Sequence, residues 1–333
     1  MKKYTLISLI SGLVLIFFFY YFIGFKKIFS SFSLLKGWQI VLLVLLSLAG
    51  LFLNIKRYQL VTRDFGGFRP SLRKTSKIWL TGFALTYLTP TGHFGGEPIK
   101  ALGLSKEYNY PYPESLLTTV IEQVVSFLGI AFFALSCACL LFFKKYFTLS
   151  SLVFLWFLFI VLAIYISMRL WKNEKFFDYL FKVFFLHKIK VKTENGLQTL
   201  SSEIKRYGNQ AIDYIRKHQP RFLLSCFYSF CYSLVWILIA KLFFLFLGTN
   251  ISFEKLFFLK VMVDIAYSAP LPASIGAFEG AHFFVFNLFG LSVGSALAFS
   301  LLMRSFDTVY AGLGLYLGTR ATAKSTLELL KGS

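Results

Sequence analysis

Charge is scarce in this chain of 333 residues: Asp, Glu, Lys and Arg make up 15% of it, and only 15 are acidic against 35 basic. With 57% hydrophobic residues and a mean hydropathy of +0.67, that scarcity excludes a water-soluble globular protein. The net charge of +20 would point to nucleic acid on a soluble chain. Here the basic residues cluster in short segments between apolar runs, which is the positive-inside bias joined to attraction for anionic headgroups, about 1 kcal/mol for each residue near the surface. Anionic inner-leaflet lipids are therefore the expected surface partner, and nucleic acid is not. Cysteine is equally sparse. Cys137, Cys139, Cys226 and Cys231 lie inside apolar stretches with no His or carboxylate at metal-ligand spacing, so they read as small packing residues and say nothing of redox compartment. There is no G-x-x-x-x-G-K-[ST] element, no D-x-D and no His-rich cluster, so neither nucleotide, metal nor other cofactor is expected. His93, His187 and His218 are isolated.

What the chain has in quantity is apolar runs of membrane-spanning length. Tyr4 to Phe25 follows Lys2-Lys3 as a signal peptide would, but it is too long for such a segment and lacks a small-x-small cleavage site, so it is read as a retained helix. Further spans run from Trp38 to Ile55, Glu114 to Phe143, Leu149 to Leu170, Phe222 to Leu247 and Gly294 to Gly318, giving six crossings. Two other apolar stretches, Ile78 to Leu104 and Phe253 to Gly290, are interrupted at their centres by Pro90 with Gly92, Gly95 and Gly96, and by Pro270 and Pro272 with Gly276. Proline lacks the amide proton and clashes with the preceding turn, so each stretch is expected to break into two half-helices, either re-entrant or fully spanning. The expected fold is an all-α polytopic membrane bundle, a single integral domain over 1–333.

Orientation follows from basic residues. Lys56 to Lys77 and Trp171 to Arg221 are strongly basic and are placed in the cytoplasm with both termini, although Lys26, Lys27, Lys36, Lys144 and Lys145 in the presumed outer loops blur the rule. Parity then has the two broken hairpins entering from opposite faces. The loop 171–220 carries Phe176, Phe177, Leu180, Phe181, Phe184 and Phe185 at helical spacing, which suits either a helix in the headgroup layer or one packed beneath the bundle.

A shift of 182 superposes Pro90 on Pro272, Glu97 on Glu279 and Glu122 on Arg304, within repeat elements of about 78–143 and 253–318. With the opposed topology, this reads as an inverted repeat of the kind that builds secondary transporters. An ionisable group at the centre of a membrane helix costs at least about 2.5 to 3.5 kcal/mol, so such groups face inward and pair. Glu97, Lys100, Glu122, Asp264, Glu279, His282, Arg304 and Asp307 lie in or beside apolar segments. Glu97 with Lys100, Glu279 with His282 and Arg304 with Asp307 are each three apart, which leaves local pairing and a functional role both open. Glu122 and Asp264 are expected to pair across the bundle with Arg304 or Lys100. The glycines either allow close packing or open a half-helix N-terminus, near Gly95 or Ser274, to an anion such as lipid phosphate. Glu97 and Glu279 in those first turns would otherwise cap the helix dipole.

At these residues the sequence resembles the transmembrane flippase region of lysylphosphatidylglycerol synthases. The matching stretches are LTPTGHFGGEPIKALGLS (Leu88 to Ser105), TVIEQVVSFLG (Thr119 to Gly129), SAPLPASIGAFEGAHFFVFNLFGLS (Ser268 to Ser292) and LLMRSFDTVYAGLGLYLG (Leu301 to Gly318). The resemblance implies a helical protein of the bacterial cytoplasmic membrane that moves an aminoacylated or otherwise modified phospholipid, or another polar lipid, between leaflets. The family often has Glu-Arg where this chain has Glu122-Gln123, and no aminoacyl-transfer domain follows Ser333, so the chain is not expected to make lysyl lipid itself. A separate lipid-modifying enzyme or a second copy of the chain are the expected protein partners. Two other functions stay open from the residues: a membrane enzyme on lipid-linked substrates and a non-catalytic membrane subunit.

Overall fold

The computed structural model describes residues 33–66, 69–90, 94–170 and 219–331. The expected first span, Tyr4 to Phe25, and the loop from 171 to 218 lie outside the described residues, as do Gly92 and His93 of the first break. All regular structure among the described residues is helical. In chain order the α-helices are α1 (Gly37–Gly66), α2 (Leu72–Leu88), α3 (Glu97–Tyr108), α4 (Tyr112–Phe143), α5 (Phe147–Leu170), α6 (Gln219–Phe246), α7 (Phe253–Tyr267), α8 (Ala277–Leu288) and α9 (Val293–Lys331). Four of these, over Gly37–Asp64, Tyr112–Phe143, Phe147–Ile166 and Gln219–Phe246, are long and apolar enough to cross a membrane. The stretch read as a final crossing, Gly294 to Gly318, is continuous helix within α9 but is not among those four; it carries Arg304 and Asp307.

Local chemistry sets the boundaries. Ser71 caps α2 by accepting the Lys74 amide at 3.3 Å, and Pro98 and Pro113 sit in the first turns of α3 and α4, where the missing amide costs nothing. The ends of α6 and α8 are closed by Gly248 (φ 77°) and Gly290 (φ 61°), with the next amide reaching back at 2.8 Å to Phe244 and Phe286. Helix α1 continues past Ile55, so residues 56–66 are helical and do not belong to a basic loop. Gln219 and Pro220, assigned from sequence to the loop, open α6.

Both apolar stretches with central Pro and Gly break as expected, and each folds back on itself. In the first, Gly82 lies against Gly96, Ile78 against Gly103, and Lys74 pairs with Glu107 at 3.1 Å. In the second, Tyr267 meets Phe278 at 5.2 Å between ring centres and Phe258 meets Phe289 at 6.0 Å. Both are antiparallel helical hairpins. Their arms have 17, 12, 15 and 12 residues, about 18 to 26 Å at 1.5 Å per residue, which is short of a hydrocarbon core of about 30 Å.

The element order itself recurs. Adding 182 to the bounds of α1, α2, α3 and α4 gives those of α6, α7, α8 and α9 to within three residues, except at the far end of α9. The leading helices of the two units run antiparallel. Trp38 meets Phe246, Gly50 lies against Tyr232, Arg57 binds Ser229 and Asp64 binds Arg221.

Lipid tails are as apolar as leucine, so helices in a bilayer gain stability from close contact. Helix α9 approaches α2 so closely that a Cβ at Gly314 would lie 2.0 Å from the Leu80 carbonyl oxygen. Nearer the start of α9 the packing is aromatic: Phe299 is fully buried with ring centres 5.3 to 5.4 Å from Trp236, Phe243 and Phe244. Substitution Gly314→Ala is therefore expected to destabilise the protein by about 1–3 kcal/mol through overpacking. Gly312→Ala, with nothing within 4 Å, should be neutral or mildly stabilising in the same detergent melting experiment.

Candidate functional site

The first hairpin contributes a buried, charge-balanced network. Gly82 has no side chain, and its place is taken by Lys100, whose Cγ would lie 2.3 Å from a Cβ there. Lys100 Nζ then donates to Glu97 Oε1 at 3.1 Å and to Glu122 Oε2 at 3.3 Å. Glu122 Oε1 accepts Arg57 Nε at 3.0 Å and Nη2 at 2.5 Å, and Arg57 Nη1 donates to Ser229 Oγ at 3.0 Å. Each charged residue is at least nine-tenths buried. Two cations and two carboxylates thus tie α1, α3, α4 and α6 together, each charge meeting an opposite one as a low-dielectric interior requires.

The second hairpin is organised around Arg304. Its Nε donates to Glu279 Oε1 at 3.0 Å, and its two terminal nitrogens reach the carbonyls of Ala273 and Ser274 at the break. Those two residues lie in the left-handed region at φ 51° and 49°, with Gly276 at 82°. Backbone of this kind in non-glycine residues persists where neighbours over-determine it, and here one guanidinium holds both carbonyls. Glu279 Oε2 accepts the Gly276 amide at 2.8 Å, so the start of α8 is capped from within the chain. Arg304 also stacks on Phe278, 4.5 Å from the ring centre.

Between the two networks lies a cavity of about 190 Å³. The first hairpin supplies Trp79, Phe83 and Lys100 to its wall; the second supplies Lys260, Asp264, Tyr267, Ala273 and Ser274. Arg57, Gln123, Ser126, Ser229, Ser233 and Asp307 add to the polar lining, with Asn54, Tyr87 and Tyr232. Lys260 donates to Asp264 one turn on, and its ammonium lies 5.9 Å from the Phe133 ring centre and 5.8 Å from that of Trp236. Asp307 Oδ2 accepts the Tyr267 hydroxyl at 2.7 Å. Asp264 Oδ2 and Trp79 Nε1 are buried with no hydrogen-bond partner among the described residues. At about 30 Å³ per water, the space holds roughly six waters or a compact polar group.

Of the residues singled out from the sequence, Lys100, Asp264 and Asp307 face the cavity. Glu97, Glu122, Glu279 and Arg304 stand behind the wall and hold it. Of the helix-break residues, Pro90 follows α2, Gly95 and Gly96 precede α3, and Pro270, Pro272 and Gly276 lie around the second break, while Gly92 is outside the described residues.

Several pairings differ from the spacing argument. Glu97 and Lys100 do pair locally, but Glu279 takes Arg304 instead of His282, whose Nδ1 is bonded at 2.8 Å to the Phe278 carbonyl. Asp307 takes Tyr267. Asp264 is paired with Lys260 within its own helix instead of with Arg304 or Lys100, and Glu122 takes Arg57 as well as Lys100. Among the charged residues of the site, Arg57 and Lys260 are the two that the sequence does not single out. Lys260 lies four before Asp264 on one helix face, a spacing visible in the sequence; Arg57 is concealed among loop-like basic neighbours.

A family model described as "Lysylphosphatidylglycerol synthase TM region" matches residues 5–314. Comparisons with curated proteins and with solved structures give no match.

Removing one partner of a buried ion network leaves a charge uncompensated, so Glu122→Gln is expected to cost about 3–5 kcal/mol of stability in detergent melts. Adding Arg57→Met restores neutrality and should recover part of that loss. Losses that simply add would show that the network is not coupled.

Proposed function

The chain belongs to the lysylphosphatidylglycerol synthase transmembrane-region family, and from that premise we propose that it moves a polar or aminoacylated phospholipid, or a related polar lipid, between membrane leaflets. The observation that carries this reading is the cavity: a polar, charged space walled by both broken hairpins inside a bundle whose outer surface is apolar. A headgroup would sit there while its acyl chains stay in the bilayer.

The recurrence of four elements at a shift of 182, with α1 antiparallel to α6, supports an inverted repeat. Arms too short to span support two re-entrant hairpins that enter from opposite faces. Rocking of one unit against the other would then open the cavity to each side in turn, the Arg57–Glu122–Lys100 ions and the Arg304 clasp each moving with their own unit while the Arg57–Ser229 contact between α1 and α6 parts. Both termini would then lie in the cytoplasm of a bacterial cell, a reading that the basic residues of the sequence between 171 and 221 support, with anionic lipids at the inner surface. An enzyme that modifies the lipid would act before transport, and a second copy of the chain is a further partner the reading allows.

In proteoliposomes, Ser126→Phe fills the cavity from α4 and is expected to slow the movement of a headgroup-labelled phospholipid at least about tenfold without loss of insertion, a filled site being unable to admit the headgroup. Glu97→Gln and Arg304→Gln should abolish movement while the protein still inserts. Wild-type rates in all three variants would contradict the assignment.

A further inference from the structure

We propose that Lys260 and Asp264 form a counter-ion exchange site: a lipid phosphate entering the cavity takes Lys260 from Asp264, and Asp264 takes up a proton. This deepens the transport reading and rests on it for the identity of the ligand.

The four buried cations among the described residues are not equally committed. Arg57 holds Glu122 and Ser229, Lys100 holds Glu97 and Glu122, and Arg304 holds Glu279 and two backbone carbonyls. Lys260 is hydrogen-bonded to Asp264 alone. An ammonium has three N–H donors, so two remain for a ligand, and the flexible stem lets it swing without disturbing backbone. Its aromatic neighbours Phe133 and Trp236 favour a cation at that spot whichever anion accompanies it.

Asp264 is the matching half. It is 6% exposed, lines the cavity and has Oδ2 without a partner. The other cations among the described residues are already committed. Arg57 and Lys100 across the cavity are held by carboxylates, and on α8 Glu279 is held by Arg304, while His282 is bonded to a carbonyl through Nδ1 and keeps Nε2 as a second possible proton site. Asp307 on α9 is an acid already bonded to Tyr267, Tyr232 on α6 and Tyr87 on α2 bring no positive charge, and α4 brings the uncharged Gln123, Ser126 and Ile130 to the wall.

Charge balance then dictates the exchange. The empty site is Lys⁺ with Asp⁻. A phosphodiester brings one negative charge; if it pairs with Lys260, the buried carboxylate is left bare unless one proton enters. The products are Lys⁺ with phosphate⁻ and a neutral Asp264, with total charge unchanged and no covalent bond made except O–H. Acid favours occupancy: linked uptake of one proton lowers the apparent affinity by up to about tenfold for each unit rise in pH.

The test titrates purified protein in detergent with dihexanoyl phosphatidylglycerol, whose uncharged glycerol isolates the phosphate. Calorimetry in buffers of different ionisation heat, at about pH 6 and again at about pH 7, counts the protons. Close to one proton taken up per lipid in the wild type, and none in Asp264→Asn, is the expected result. No binding, binding without proton uptake, or uptake unchanged in Asp264→Asn overturns the exchange. If Asp264→Asn does not fold, the wild-type count with Asp307→Asn and His282→Gln decides: zero protons, or uptake lost in either variant, overturns it. Lipid movement in proteoliposomes is scored separately, so a protein that binds with proton uptake but moves no lipid loses the transport reading and keeps the exchange site.

Discussion

An ionised side chain in hydrocarbon has to find its opposite charge inside the protein, and this requirement decides which helices of the bundle meet. Arg57 and Glu122 are 65 positions apart, Glu279 and Arg304 are 25 apart, and each pair closes with two nitrogens of the guanidinium on one carboxylate. The first pair, extended by Lys100 and Glu97, joins the leading helix to the first hairpin and to α4. The second fastens α9 to the turn of the second hairpin. The polar wall of the cavity hangs between these two fastenings. Because the charges are satisfied pairwise, the networks add rigidity without leaving a net charge to attract water at those points.

The two units share an element plan but use their charges differently. At a shift of 182, Gly82 corresponds to Asp264 and Lys100 to His282. In the first unit the glycine makes room for a lysine that crosses to α4. In the second, the acid occupies the matching place, its lysine is one turn earlier on the same helix, and the imidazole opposite is enclosed by Phe278, Phe299 and Trp236. One hairpin is thereby locked to its neighbours, while the other presents a locally paired acid and base to the cavity. Left-handed Ala273 and Ser274 add backbone strain at the second break, which Arg304 contains.

Much of this was legible in the sequence. Apolar runs of the right length marked the long helices, and central Pro and Gly marked both breaks, because these are local properties of the chain. Glu97 with Lys100 followed from helical spacing. The Glu279–Arg304 pair did not, since proximity through a folded hairpin leaves no local spacing, and a nearer His282 looked equally good. Arg57 was hidden because Lys56, Arg57 and Arg63 read as a basic loop; the apolar Tyr58, Leu60 and Val61 that keep the helix going were the available sign. Three matched positions point to the shift of 182, but how many elements recur at that shift needed the helix ends, which side-chain pattern fixes poorly.

The account depends on a wet, polar space between the hairpins within the apolar bundle. Thiol accessibility measures this most directly. In a protein with Cys137, Cys139, Cys226 and Cys231 replaced, Ser126→Cys and Ser233→Cys from the cavity wall are compared with Val161→Cys on the outer face of α5. The two cavity positions should react with a membrane-impermeant thiosulfonate and be protected by short-chain phospholipid, while position 161 stays unreactive in the bilayer. Cavity thiols that react no faster than the one at 161 would contradict it.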